Sequence, residues 1–175
     1  NISIPRRVGQ AVAALEYRQL ITVLLGLNSV NVADAVAIYF PDEDFMPHRI
    51  TFPPNFSPKT VPKEHFSVMA EITVPPDLSY LRMDKKKIYA NVINGLISRK
   101  LIKPKSVVYK NIWITQYAYP VYKKDYVKNM KIIRDFLSSI NLHICGRFGE
   151  FQYINTDVCI EKAEKIAHMF NKSED

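Results

Sequence analysis

Residues 142–160 read LHICGRFGEFQYINTDVCI, and this stretch is the most informative one in the chain. Its apolar start predicts a short strand, 142–145, and the residues from Asp157 onward predict a helix. Gly146 permits close approach of the backbone to a ligand, and Arg147 supplies a planar, permanent cation. The free N–H groups at the start of the helix carry partial positive charge. This arrangement predicts a crevice for a polyanionic or electron-rich ligand, although an ordinary strand-to-helix turn has the same pattern.

Hydrophobic periodicity upstream of this stretch predicts an α+β fold. The predicted strands lie near residues 20–28, 36–40, 66–74 and 107–117. Eight of the eleven prolines fall between Pro41 and Pro76, and they restrict that region to short strands and turns. Apolar residues at helical spacing predict helices near 85–101 and 124–140. We therefore expect a mixed or mainly antiparallel sheet with helices on one face, followed by a C-terminal strand-loop-helix.

The ends of the predicted helices follow from capping residues. Asp84 is a suitable N-cap for the helix near 85–101, because its carboxylate can accept from free backbone N–H groups. Asn141 is the expected stop of the helix near 124–140. The polar tail from Asn171 is expected to be frayed.

The charge of the chain is concentrated in its middle. The 175 residues carry 24 Lys and Arg against 17 Asp and Glu, for a net charge of +7. Residues 82–134 hold 14 of the basic and 2 of the acidic side chains, a local net charge of +12. Such a stretch attracts phosphates, so a basic nucleic-acid-binding module is one alternative function. A solvated lysine-rich face on two surface helices is the simpler interpretation, and we do not expect nucleic acid as the partner.

Composition and absent motifs exclude several classes of protein. With 47% hydrophobic and 23% charged residues, the chain is neither disordered nor fibrous. Its two cysteines, Cys145 and Cys159, suit a reduced cytoplasmic protein. The longest apolar run, Leu20 to Leu27, is too short to span a bilayer, and no signal-peptide pattern is visible. There is no Walker A loop, no Cys-x-x-Cys and no metal-ligand spacing of histidines, so we predict no metal site and name no catalytic residue.

The segment Gly146–Asp157 resembles the C-terminal flavin-contacting motif of a group of flavoproteins. That group includes the FAD-dependent amine oxidases, protoporphyrinogen oxidases and UDP-galactopyranose mutases. Further stretches resemble the same group in the same order, and they are Ile2–Pro5, Ile38–Pro41 with His48–Thr51, and Ala118–Tyr122 with the helix from Tyr126 to Leu137. The resemblance implies that this chain is the C-terminal, substrate-binding and flavin-closing fragment of an FAD-dependent oxidoreductase or mutase.

The resemblance also implies roles for individual residues toward FAD. Gly146 and Arg147 would lie beside the FAD diphosphate and ribityl chain. Asp157 and Val158 would bring helix-terminal N–H groups to the pyrimidine end of the flavin, where negative charge develops on reduction.

Four further residues would face a small-molecule substrate, which the basic middle of the chain suggests is anionic. They are Arg49, Tyr119, Tyr153 and Asn155. Each has a structural alternative: Arg49 as a surface arginine, Tyr119 packing on the sheet, Tyr153 as a core hydrogen-bond donor, and Asn155 as a helix cap.

The chain departs from the flavoprotein group in one respect, because it has no Gly-x-Gly-x-x-Gly turn to bind the FAD diphosphate. We therefore interpret residues 1–140 as a substrate-domain-like region and residues 141–175 as a returning FAD-contacting segment. The N-terminal dinucleotide fold would be a missing partner, and FAD would bind weakly or not at all without it. A non-catalytic remnant that self-associates into a homo-oligomer is the remaining alternative.

Overall fold

The protein is described here by a computed structural model that covers residues 2–29, 32–75 and 77–171. Its strands are β1 (Glu16–Leu27), β2 (Ala37–Tyr39), β3 (Arg49–Thr51), β4 (Phe66–Thr73) and β5 (Val107–Val121). Its α-helices are α1 (Arg6–Ala13), α2 (Pro53–Phe56), α3 (Lys85–Ser98), α4 (Tyr126–Ser139), α5 (Gly146–Gly149) and α6 (Thr156–Asn171). Short 3-10 turns occupy Pro58–Thr60 and Ser79–Arg82. The α+β class is therefore confirmed.

The chain divides into two compact units. The sheet unit comprises Arg18–Gln116, and the helical unit comprises Asn1–Tyr17 together with Tyr117–Asp175. The boundary predicted at residue 140 does not coincide with either limit of the helical unit. The reason is that α1 packs against α4, so the first residues of the chain join the C-terminal helices. The functional roles assigned to residues 1–140 and 141–175 remain predictions.

The sheet unit is built on an antiparallel sheet with the strand order β2-β3-β4-β1-β5. Strand β1 pairs with β4 over eight residues, from Leu20 opposite Thr73 to Leu27 opposite Phe66. Alternate residues of β1 are buried because the period of two sends every second side chain to the same face. Strand β3 was not predicted from the sequence, since three residues among prolines give no recognisable period.

Helix α3 covers one face of this sheet. Its buried residues Ile88, Val92 and Leu96 recur every four residues and share one core with the inward residues of β1 and β4. Burying such aliphatic side chains contributes roughly 1.5–3 kcal/mol each. The predicted cap is present, because the Asp84 carboxylate accepts from the Lys86 backbone N–H at 2.8 Å. The helix ends where Lys100 adopts a left-handed φ of 58°.

The helical unit contains α1, α4, α5 and α6. Helix α4 buries Met130 and packs against α1, so the helix predicted for the sheet face lies in the helical unit. It ends at Ser139, just before the predicted stop: Asn141 has φ 54°, and the Leu142 N–H donates to the Leu137 carbonyl at 2.9 Å. Helix α1 was missed, although Val8 and Ala11, three residues apart after a proline, are its buried positions.

Two local predictions differ from the structure. Residues 142–145 are extended but form no strand, because they do not pair with any strand of the described five-stranded sheet. The predicted loop after them begins instead with α5, a single helical turn. The tail from Asn171 lies, beyond that residue, outside the described part of the chain. None of the helices within the described ranges has the length and hydropathy needed to cross a bilayer.

Candidate functional site

A cleft of about 710 Å³ opens in the helical unit between α5 and the start of α6. Its lining includes four of the predicted site residues, which are Gly146, Arg147, Asn155 and Asp157. Val158 does not line the cleft. The volume lies within the range of about 300–1,000 Å³ that is usual for small-molecule sites. The structure thus brings these four residues together around one open cleft, and their roles toward a cofactor or substrate remain predictions.

Glycine is favoured at position 146 by the backbone conformation and not by crowding around the Cβ position. Its φ is +78°, a conformation that residues with a Cβ rarely adopt. A Cβ built there would lie 3.8 Å from the Cys159 Sγ, which is an ordinary contact distance. The positive φ turns the extended segment that ends at Cys145 into the single turn of α5. A side chain here would strain that turn, and it would also project toward the cleft.

Arg147 is held by two hydrogen bonds and by two aromatic rings beside its guanidinium. Its Nη1 donates to the Ile154 carbonyl at 3.2 Å, and its Nη2 donates to the Ala118 carbonyl at 3.3 Å. The guanidinium carbon lies 4.4 Å from the centre of the Tyr153 ring and 5.2 Å from that of Tyr119. Cations placed over aromatic faces in this way are stabilised by the ring quadrupole. Arg147 thus fixes one wall of the cleft, and it has further N–H groups for a ligand.

The two tyrosines predicted to face a substrate lie together beside Arg147. The Tyr119 and Tyr153 ring centres are 5.7 Å apart, and the Tyr153 side is exposed to solvent. The Tyr153 backbone N–H donates to the Tyr122 hydroxyl at 2.6 Å. Neither tyrosine lines the cleft itself, although both rings contact the Arg147 guanidinium that does.

The loop that follows α5 is fixed by side chains that sequence reasoning did not assign to the site. The Tyr126 hydroxyl donates to the Phe151 carbonyl at 2.7 Å, and Phe151 itself has a left-handed φ of 51°. Burial raises the pKa of Tyr126 above its ordinary value, and the neighbouring Tyr122 acts in the same direction. On α6, Lys162 forms an ion pair with Glu150 and donates to the Gln152 side chain at 3.1 Å. No sequence spacing signals these contacts, since they join separate elements.

The start of α6 supplies the polar edge of the cleft. The Cys159 N–H donates to the Asn155 carbonyl at 3.1 Å, so Asn155 stands immediately before the first helical turn. Asp157 is an acidic residue in that first turn, where it is favoured by the helix dipole. One cation and one carboxylate thus line the cleft, and the Arg147 cation is already engaged.

Arg49 lies in the sheet unit and is not a free surface arginine. It forms a two-point ion pair with Glu71, through Nε to Oε2 and through Nη2 to Oε1 at 2.7 Å. Its Nη1 also donates to the Tyr39 hydroxyl at 3.3 Å. Glu71 is only 6% exposed, so the arginine neutralises a buried carboxylate. Arg49 therefore has a structural role in β3, and its contact with a substrate remains a prediction.

His48 precedes Arg49 and lies in the same polar cluster. Its Nδ1 is 3.2 Å from the Thr73 hydroxyl oxygen, and its backbone N–H donates to the Glu71 carbonyl. Burial lowers the pKa of His48 below its ordinary value of 6.5, Glu71 opposes this effect, and Arg49 adds to the lowering.

The basic middle of the sequence is divided between the two units. Lys85, Lys86 and Lys87 open α3 in the sheet unit, whereas Lys123, Lys124, Lys128 and Lys131 lie at or near the start of α4 in the helical unit.

Across the described ranges, no three His, Cys, Asp or Glu side chains are placed to hold a metal ion.

Comparisons with known proteins concern the fold. The crystal structure of reduced UDP-galactopyranose mutase matches with a TM-score of 0.72 and 22% identity, over 82% of this chain and 31% of that chain. A putative protoporphyrinogen oxidase from Exiguobacterium sp. 255-15 matches with a TM-score of 0.72 and 10% identity, over 94% of this chain and 37% of that one. No protein-family model and no curated protein matches the sequence. The chain therefore has the fold of one part, about a third of the length, of these two proteins.

Proposed function

We propose that this chain is the substrate-binding and flavin-closing part of an FAD-dependent oxidoreductase or UDP-galactopyranose mutase-like enzyme. The likeness in fold to a mutase and to a putative protoporphyrinogen oxidase supports the class. The observation that carries the proposal is the cleft, in which Gly146 at φ +78° and the first turn of α6 meet. A helix N-terminus beside a glycine without a side chain is suited to accept the polar edge of a ring.

Flavin, when bound, would supply the electron chemistry, and this chain would supply orientation and electrostatic stabilisation. Amide N–H groups at Asp157 and Val158 would donate to the pyrimidine edge. Gly146 would allow the close approach, and Arg147 would hold the wall beside the ribityl and diphosphate groups. Asn155, directly before α6, would contact the substrate side.

For the substrate we propose a small, anionic molecule that approaches the aromatic pair of Tyr119 and Tyr153. Their stacking around a guanidinium offers both a flat apolar surface and a positive charge. Arg49, which lies in the sheet unit, stays a separate candidate for a substrate contact, and its guanidinium is held by Glu71. The partner we propose is a dinucleotide fold supplied outside these residues, and the two free cysteines favour the cytoplasm as the compartment.

The test compares this chain alone with the same chain expressed together with the coding sequence that precedes Asn1. We expect the chain alone to retain little FAD. The longer protein should be yellow with bound flavin, and Arg147→Ala should weaken its FAD affinity about tenfold or more, which is roughly 1.5–3 kcal/mol. Gly146→Val should also reduce retention, because it adds a branched side chain at a positive φ.

Lys86→Ala is the matched control, since it removes a charge from α3 in the sheet unit. Melting temperatures of all variants separate a loss of affinity from a loss of folding. Flavin retention and turnover of Gly146→Val and Arg147→Ala equal to those of Lys86→Ala would show the segment to be an ordinary turn. Stoichiometric flavin on the chain alone would contradict the need for a dinucleotide fold.

A further inference from the structure

The outer side of α4 carries an exposed aliphatic residue among lysines. Val127 is 75% exposed, more than any other large apolar side chain of the described residues. Lys131 lies one helical turn after it on the same side of α4, and Lys128 is its immediate neighbour. Lys124, just before the helix, is also exposed.

Helix α1, which packs against α4, continues the same combination of residues. Arg6 and Arg7 in its first turn are exposed. The aliphatic side chains of Ile2 and Ile4, before the helix, are each 63% exposed, and Val12 is 53% exposed. We call the exposed side chains of residues 2–12 and 123–131 the α1–α4 surface. It combines four exposed aliphatic residues with six basic residues and one acidic residue, Asp125.

Part of this charge is neutralised and part of it is available. Lys131 pairs with Asp135 at 2.7 Å, and Lys123 pairs with Glu16. Both ion pairs are exposed and therefore weak. For Arg6, Arg7, Lys124 and Lys128 no ion pair occurs within the described ranges. At least four cations of the α1–α4 surface can consequently interact with an external anionic surface.

We propose that the α1–α4 surface docks onto a membrane that contains anionic lipid headgroups. Aliphatic side chains insert among acyl chains while the surrounding lysines and arginines contact the headgroups. Nucleic acid is a poorer match, because single strands stack on free aromatic faces, and Tyr122, the exposed ring beside this surface, packs edge-on against Tyr126. A second copy of the same surface is disfavoured by repulsion between like charges. The docking is peripheral and is independent of the proposed flavin site.

Lipid-vesicle sedimentation of this chain tests the proposal. We expect binding to phosphatidylcholine vesicles that contain phosphatidylserine, little binding to phosphatidylcholine alone, and weakening as salt is raised. Each basic residue near an anionic surface raises partitioning about fivefold. Lys124→Glu with Lys128→Glu should therefore lower binding by at least about 25-fold, and Val127→Ser should lower it several-fold.

The control is Lys86→Glu with Lys87→Glu, which makes the same charge change on α3 of the sheet unit. It should retain binding within about twofold, and circular dichroism should show all variants folded. The proposal is overturned if phosphatidylserine vesicles fail to bind the chain at low salt. It is also overturned if the control weakens binding as much as the α4 variant does, or if single-stranded DNA binds while vesicles do not.

Discussion

Replacing Arg49 tests whether the ion pair with Glu71 holds the sheet unit together. The two side chains make a two-point contact, and the Glu71 carboxylate is only 6% exposed. Arg49→Met leaves that carboxylate buried without its partner, and an unpaired buried charge costs about 3–5 kcal/mol. We expect a loss of stability in that range, since the shape of the side chain is largely kept.

A double-mutant cycle measures the interaction without the penalty of an orphaned charge. Glu71→Gln removes the negative charge, and the double variant Arg49→Met with Glu71→Gln leaves neither ion. The double variant should be more stable than Arg49→Met alone, with a coupling free energy of about 2–3 kcal/mol. Urea unfolding of the four proteins gives the four free energies, and the slopes report whether unfolding stays two-state.

The result that refutes this reasoning is additivity. If the two single changes add within about 0.5 kcal/mol, the carboxylate does not depend on the arginine and the contact is unimportant for folding. Tyr39→Phe serves as the control, because it removes only the 3.3 Å contact from Arg49 and should cost about 1 kcal/mol or less. In a longer protein with measurable activity, any loss of activity in Arg49→Met would have to be separated from the loss of stability caused by the same substitution.

Three further predictions concern the sheet unit. Burial lowers the pKa of His48 below 6.5, so the unfolded state binds more protons than the folded state does. The free energy of unfolding, measured with urea, should therefore fall as the pH drops below about 6.5, and His48→Gln should flatten that dependence. Lys100 has a φ of 58°, so Lys100→Gly should raise the stability of the fold by about 0.5–1 kcal/mol in thermal unfolding. Lys103 has no positive φ, so Lys103→Gly should not stabilise the fold and serves as the control. The methyl group of Gly95→Ala would overlap the buried Phe45 ring. We expect the free energy of unfolding to fall by about 1–3 kcal/mol in spite of the better helix propensity of alanine. An unchanged melting temperature would show that the ring moves aside freely.

The sequence predicted those elements whose signal is local. Helix α3 has a cap, an apolar stripe and a left-handed end within one stretch, and it was located correctly. Strands β1, β4 and β5 are long enough to show β-forming composition. The short β3 was missed because its three residues are stabilised by pairing with β2 and β4, which no local pattern reveals.

The candidate site shows the same division between local and tertiary information. Gly146 was identified because a glycine between an apolar run and a helix start is visible in the sequence. The strand expected before it is absent because a strand requires a neighbour, and composition cannot supply one. The fixed position of Arg147 was also unforeseen, since its two carbonyl partners are 7 and 29 residues away.

The loop at residues 150–154 explains why the cleft can be ready to bind before a ligand arrives. Its backbone is held by Arg147 from one side, by the hydroxyls of Tyr122 and Tyr126 from another, and by Lys162 through the Glu150 and Gln152 side chains. These groups come from α4, α5, α6 and the short segment between β5 and α4, so no single element sets the loop. Because the loop is already ordered, a ligand would not have to offset its conformational entropy on binding. Affinity would then depend on the contacts made in the cleft, and variation in Tyr122, Tyr126 or Lys162 should alter binding without any of them touching the ligand.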